Sequence, residues 1–302
     1  MWIRAVLKRA AEHALASRPA LWPRRRRARG RSVILAYHNV VPDDEPLTGE
    51  RRVHLCLSGF ARQLDLISDV AEVIPLEKVL EPPSEKEHER LRVAITFDDA
   101  YRGALRVAVP ELARRGIPAT VFVPTGLLGR DAFWWDALEL SDEGRAIQCL
   151  DRLGGRLDDV LAWGQGEGMG LRVQAPNQRP GTVEDLSIAA GSGCITFAPH
   201  SRTHPNFSVI PRIEIQDELR ESREWMRSSG LPYVDWFSYP YGLTSQDAEE
   251  VCRASGMSAA VLACGGWIPA RDVDRFRVPR ITVSDGKNLE NFLLRLFGVL
   301  PS

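Results

Sequence analysis

Short runs of apolar residues, many of them β-branched, alternate along the chain with segments whose apolar positions lie three and four apart; the first pattern marks buried strands and the second amphipathic helices. The runs predict strands at residues 32–37, 71–76, 93–97, 119–123, 194–198, 234–239, 258–263 and 278–283. The helical spacing predicts helices at 58–67, where Ser58 offers an N-cap and Phe60, Leu64 and Ile67 share a face, and at 104–115, 214–228, 245–255 and 289–297. About eight strands alternating with helices point to a parallel sheet closed into a (β/α) barrel. Between 126 and 193 the pattern turns irregular. Residues 133–136 open a helix, and Gly164, Gly166, Gly168 and Gly170 are expected to break regular structure, so residues 127–192 read as an insertion over the barrel rim. The pair Trp134-Trp135 within it fits either a packing anchor or a wall against a sugar.

Composition narrows the picture. The 302 residues are 44% hydrophobic and 26% charged, which is the balance of a globular protein, and no apolar run is long enough to span a bilayer. One domain, residues 32–302, accounts for the alternating pattern. The five cysteines are odd in number and form no CxxC pair, which argues for reduced thiols over a disulfide framework. Ten of the 39 Lys and Arg and one of the 40 Asp and Glu fall in residues 1–31, a net of +9, leaving 29 basic and 39 acidic groups, a net of −10, on the rest. An acidic body opposes nucleic-acid binding.

In the basic segment Ile3, Val6, Leu7, Ala10 and Ala14 form one helical stripe beside Arg4, Lys8 and Arg9, and Pro19 and Pro23 are expected to end the helix. No uninterrupted apolar core with a small-residue cleavage site follows, so a cytoplasmic location is expected. With Trp2, Trp22 and Arg24-Arg25-Arg26-Arg27, the segment suits the anionic inner face of a membrane; a helix docked on the barrel, joined by a solvated Arg linker, is the other reading.

The chemistry gathers at two strand ends. Residues 93–97 run into Asp98 and Asp99, and a βαβ unit presents its ligand-binding residues at the carboxyl ends of its strands. An Asp pair there also serves as a turn and helix N-cap. A hundred residues on, a second apolar run ends in Pro199-His200-Ser201-Arg202-Thr203-His204, a single turn or tight loop carrying two imidazoles. Two His and one Asp are a ligand set for Zn²⁺ with an open position.

Taken in order, Thr96-Phe97-Asp98-Asp99, His200-Ser201-Arg202-Thr203-His204 and Tyr239-Pro240-Tyr241-Gly242 resemble the three motifs of the polysaccharide deacetylases of carbohydrate esterase family 4, the NodB-homology domain. The likeness covers roughly residues 32–285. Tyr37-His38-Asn39-Val40 is similar to the branch with an N-terminal Tyr-His motif, whose members deacetylate poly-N-acetylglucosamine and related surface sugars. The resemblance implies a distorted (β/α) barrel of the NodB-homology type, a metal held by Asp99, His200 and His204 (Zn²⁺, Co²⁺ or Ni²⁺), Asp98 as general base, and the Tyr241 amide as an oxyanion donor. It implies a hydrolase that removes N-acetyl groups from an amino sugar of a surface polysaccharide or lipid-linked precursor; a deformylase, another deacylase or a non-catalytic sugar-binding module on the same fold are the alternatives. Two departures stand out. Ser238 occupies a position where many members have an Arg that pairs with the base, and Arg280 is the candidate replacement or else a surface Arg. No His follows His204, so the general acid falls to His38, as in the Tyr-His branch, or His38 is a core histidine. Trp267 is a candidate to line the pocket for the acetyl methyl.

Overall fold

The computed structural model describes residues 18–83, 89–140, 143–269, 272–283 and 289–300. Among the described residues ten strands form: β1 (Ser32–Tyr37), β2 (Asn39–Val41), β3 (His54–Cys56), β4 (Ala71–Val73), β5 (Leu91–Phe97), β6 (Ala119–Val123), β7 (Ile195–Pro199), β8 (Trp236–Ser238), β9 (Ala259–Gly265) and β10 (Val278–Thr282). Seven of them run parallel in the order β7-β6-β5-β1-β10-β9-β8, with β4 added on β5. The two end strands nearly meet. Phe197 of β7 donates to Pro232 O at 2.8 Å and accepts from Val234 N at 2.9 Å just ahead of β8, so the sheet is an almost closed barrel.

The strands read as continuous apolar runs because both faces are covered. Each position of β1 and β5 is buried. Alternate residues divide between two cores, as the two-residue period of a strand requires. Ile34, Ala94, Phe122, Ala198, Trp236, Val261 and Val278, one from each of the seven barrel strands, form one cluster. Their neighbours Val33, Val93 and Val121 belong to the larger cluster that also takes in buried faces of helices, including Phe60, Leu64 and Ile67 of Leu57–Val70 and Phe292 and Leu294 of Leu289–Leu296.

Several expectations need correction. The strand expected at 71–76 stops at Val73, and Leu76–Leu80 is a 3₁₀ turn behind Pro75. The helix expected at 104–115 opens as a π segment, Ala104–Ala108, in which the Val109 N–H bonds Ala104 O. Pro110 lacks an N–H and its ring crowds the preceding turn, and the wider turn accommodates both. The stretch around Pro19 and Pro23 is itself helical: Arg18–Ala28 holds Pro19 in its first turn, where an N–H has no partner to lose, and Pro23 inside, whereas the helix that these prolines are expected to end lies outside the described residues. Gly164 and Gly166 lie within the helix Leu157–Gly166, where buried Gly164 lets Leu138 pack against the helix backbone. Between β6 and β7 the described residues of the insertion form the α-helices Trp134–Ala137, Glu143–Asp151, Leu157–Gly166 and Val183–Ala190. The stripe expected in residues 1–17 and most of the charged loop at 82–90 lie outside the described residues. All five cysteines are free, and no described helix is long and apolar enough to cross a membrane.

Candidate active site

Barrel strands deliver their side chains to one end. His38 follows β1, Asp98 and Asp99 follow β5, His200 to His204 follow β7, and Tyr239 to Gly242 follow β8. His38, Asp98, Asp99, His200, His204 and Tyr241 all line one cavity of about 650 Å³, within the roughly 300–1,000 Å³ usual for small-ligand sites. Of the six non-glycine residues with positive φ among the described residues, five (Asp99, Ala100, Ser201, His204 and Tyr241) stand at these strand ends. Such conformations cost on the order of 1–3 kcal/mol each and persist where surrounding contacts over-determine them.

Those contacts are visible around the histidines. Glu218, from the helix Arg212–Ser228, accepts hydrogen bonds from the backbone N–H groups of Arg202 and Thr203, both at 2.7 Å, and from the Thr203 hydroxyl. The Ser201 hydroxyl accepts from the His204 N–H at 2.9 Å. Pro199 closes β7, and the positive φ values of Ser201 and His204 make the segment a loop, the second of the two forms expected from the sequence.

Asp99, His200 and His204 converge on one point, their donor atoms within 4.8 Å of one another and all three residues buried. Asp99 Oδ1 lies 3.4 Å from His200 Nε2 and 3.2 Å from His204 Nε2, and the two Nε2 atoms are 3.2 Å apart. Ligands at about 2.0–2.1 Å from a common ion at tetrahedral angles stand about 3.3 Å from each other, so the triangle fits one face of a tetrahedral zinc-type site. His200 Nδ1 is 2.7 Å from Ser238 O, which fixes that nitrogen as the donor and leaves Nε2 with its lone pair toward the cluster. Burial opposes the charge on Asp99, but the two imidazoles that face it outweigh burial and hold the carboxyl below its ordinary range.

Asp98 points to a different partner. Arg280, fully buried in β10, meets it with a two-pronged contact, Nη1 to Oδ1 at 2.8 Å and Nη2 to Oδ2 at 2.6 Å. The same guanidinium donates to Thr96 Oγ1 at 3.2 Å, Ser238 Oγ at 2.9 Å and Leu262 O at 2.7 Å. Burial raises the cost of charging Asp98; Arg280, aided by His200 and His38, overrides it, so Asp98 titrates below the usual carboxylate range. The small side chain of Ser238 leaves the space that Arg280 fills. His38 is half-buried at the cavity wall, and its Nδ1 is buried with no hydrogen-bond partner.

The structure does not bring Trp267 to this site. Its indole N–H donates to Leu296 O at 2.8 Å, Arg31 lies over its ring, and neighbouring Ile268 bonds Ser32 at the opposite end of β1 from His38. Trp267 is a packing residue under the last helix. The tryptophans that do face the cavity are Trp134 and Trp135, the latter with its ring centroid 5.1 Å from that of His204. Sequence reasoning also passed over His54. It is fully buried, with Nε2 3.3 Å from Asp136 Oδ1. Asp136 Oδ2 accepts from Tyr101 Oη at 2.6 Å, and the Trp135 indole donates to that same hydroxyl at 2.7 Å. Only the WWD run hinted at this network. His13 and His88 lie outside the described residues.

Comparison with known proteins adds family and fold. The family model described as polysaccharide deacetylase matches residues 85–260, more than half of the chain, taking in Asp98, Asp99, His200, His204 and Tyr241 but not His38 or Arg280. No curated protein sequence matches significantly. Among solved structures, the Streptococcus pyogenes deacetylase PplD in complex with acetate superposes with a TM-score of 0.61 at 18% identity, over 89% of this chain and 99% of that one. IcaB from Ammonifex degensii gives 0.59 at 20%, over 85% and 93%, and the BpsB deacetylase domain from Bordetella bronchiseptica 0.55 at 17%, over 84% and 96%. At these identities the likeness is one of fold.

The Asp98–Arg280 pair yields a pH-dependent prediction. Because the folded-state pKa of Asp98 is depressed, the pair contributes stability that is present above the unfolded pKa and lost as pH falls through the folded one. Arg280→Met strands a buried carboxylate, at a cost of roughly 3–5 kcal/mol at neutral pH. Urea denaturation is expected to show that loss at pH 7 and a smaller one in acid, where Asp98 is protonated in both proteins. Equal stability at pH 7 would contradict the pairing.

Proposed function

Because the chain belongs to the polysaccharide deacetylase family, we propose that it removes the N-acetyl group from an amino sugar of a surface polysaccharide or lipid-linked glycan, with a divalent ion (Zn²⁺, Co²⁺ or Ni²⁺) held by Asp99, His200 and His204. The observation that carries this reading is the division of labour between adjacent carboxylates: Asp99 turns to two imidazoles and Asp98 to a guanidinium, in one cavity. The acetate held by the PplD structure supports acetyl as the group removed.

When bound, such an ion polarises the amide carbonyl and makes a water acidic enough to react near neutral pH. The protein's own groups do the rest. Asp98, kept ionised by Arg280, is ready to accept the proton of the attacking water. His38, in the same cavity, delivers a proton to the departing amine, without which the tetrahedral adduct reverts to amide. The backbone of Tyr241, set at φ 59°, offers its N–H to the developing oxyanion; the ring is pinned because Tyr241 Oη donates to Gly155 O at 2.9 Å and accepts from Trp134 Nε1 at 2.7 Å.

We also propose that Arg18–Ala28 rests on an anionic membrane surface. One side of it is tied down, with Arg24 donating to Gly298 O at 3.3 Å and Arg25 lying over Phe297, while Trp22, Arg26 and Arg27 are exposed. With each basic residue near such a surface worth about 1 kcal/mol, Arg26→Gln with Arg27→Gln should weaken binding to vesicles containing phosphatidylserine about tenfold or more at modest salt. Unchanged binding returns this helix to a docked role alone.

The function is tested by acetate release from N-acetylglucosamine oligomers. Release is expected to stop with a chelator and to resume on adding Zn²⁺; no metal-dependent loss of acetyl or formyl from any acylated amino sugar would refute the reading. His38→Ala is expected to retain metal while turnover falls by roughly 10²–10⁴-fold and the alkaline limb of the pH–rate profile flattens. A wild-type rate and profile would return His38 to the core.

A further inference from the structure

One stretch of the cavity wall, residues 49–53, is held from beneath by buried side chains. Asp136, fully buried, accepts from the Glu50 N–H at 2.8 Å. Gln178, also fully buried, accepts from the Thr48 N–H at 2.8 Å and the Gly49 N–H at 3.3 Å, and Thr48 Oγ1 donates to Gln174 Oε1 at 3.0 Å. The approach is so close that a Cβ on Gly49 would stand 2.2 Å from Asp136 Oδ1, so no other residue fits there without displacing the carboxylate. A turn fixed in this way presents its outward side chains to the cavity at little entropic cost on binding.

The charges it presents are unequal. Glu50 and Arg52 satisfy each other, Arg52 Nε to Glu50 Oε1 at 2.9 Å and Nη2 to Oε2 at 3.3 Å. Arg172, also on the cavity lining, is paired with Glu139 at 2.8 Å. Deeper in, Asp98 is paired with Arg280. Among the described residues lining the cavity, Arg51 is the one arginine without an acid partner.

We propose that Arg51 is a specificity-determining residue that selects an N-acetylated sugar carrying an oxyanion, a carboxylate or a phosphate, beside the scissile acetamide. The inference rests on the cavity being the sugar site. A guanidinium pairs with either oxyanion through the same two-pronged geometry, so the structure assigns the charge and its shape, and experiment separates the two sources. A neutral homopolymer gains nothing from Arg51.

The test measures binding, which does not depend on turnover, by calorimetry on the metal-loaded chain with two matched pairs: N-acetylglucosamine 1-phosphate against methyl N-acetylglucosaminide, and a disaccharide of N-acetylglucosamine and glucuronic acid against di-N-acetylchitobiose. The acidic member of at least one pair is expected to bind about three- to tenfold more tightly, and the pair with the larger gap identifies the oxyanion. Arg51→Gln should close the gap and Arg51→Glu should reverse it. In the unaltered protein, raising salt from about 0.05 M to about 0.5 M should narrow it, because the pair is solvent-facing. Equal binding within both pairs, or a gap that survives in Arg51→Gln or in high salt, overturns the proposal. The acetate-release assay fails or succeeds independently of this ratio.

Discussion

A fully buried guanidinium must place all of its donors, and Arg280 does so across the barrel. Its five N–H groups reach Leu262 O, Thr96 Oγ1, Ser238 Oγ and both oxygens of Asp98, so one side chain on β10 is tied to β5, β8 and β9 at once. The arrangement is possible only if the strands stand in the register they have, with Thr96 itself held by Leu35 O at 2.8 Å and Ser238 small enough to leave room. Removing any one partner leaves a buried charge short of a bond, which costs far more than the bond contributes when made. The residue that fixes the electrostatics of the site is thus also one that holds the sheet together.

The same economy governs the loops. Asp99, Ser201, His204 and Tyr241 all sit at positive φ, and contacts beyond the strands hold the last three: Glu218 under the histidine loop, Gly155 O and Trp134 on the Tyr241 hydroxyl. These conformations turn consecutive residues of one strand end to separate tasks, which the alternation of a strand alone would send to opposite faces. Asp98 and Asp99 are neighbours in sequence with different partners because the chain leaves the β conformation between them.

What the sequence made legible follows from locality. Seven of the eight predicted runs became barrel strands, and the eighth formed the short β4, because buried parallel strands write a continuous apolar signal that needs no distant information. Asp98, Asp99, His200 and His204 were recognisable as short motifs, and Arg280 could be picked out as a charge inside an apolar run. The network of His54, Asp136 and Tyr101 was not legible, since its members come from β3, the insertion and the turn after β5 and have no spacing in common. Trp267 misled for the opposite reason. A Gly-Gly-Trp sequence after a strand looks like a pocket wall, whereas Gly265 and Gly266 at positive φ carry the chain back down the barrel, and the indole lands under the last helix.

The central claim, that Asp99, His200 and His204 form one three-ligand site beside an independently paired base, is tested most directly by titrating Zn²⁺ into the metal-free chain by calorimetry, alongside His204→Ala and Asp98→Asn. The account predicts one ion per chain in the unaltered protein and in Asp98→Asn, with stoichiometric binding lost in His204→Ala, because two remaining ligands compete poorly with water. Undiminished binding in His204→Ala, or no stoichiometric binding in the unaltered chain, would contradict it.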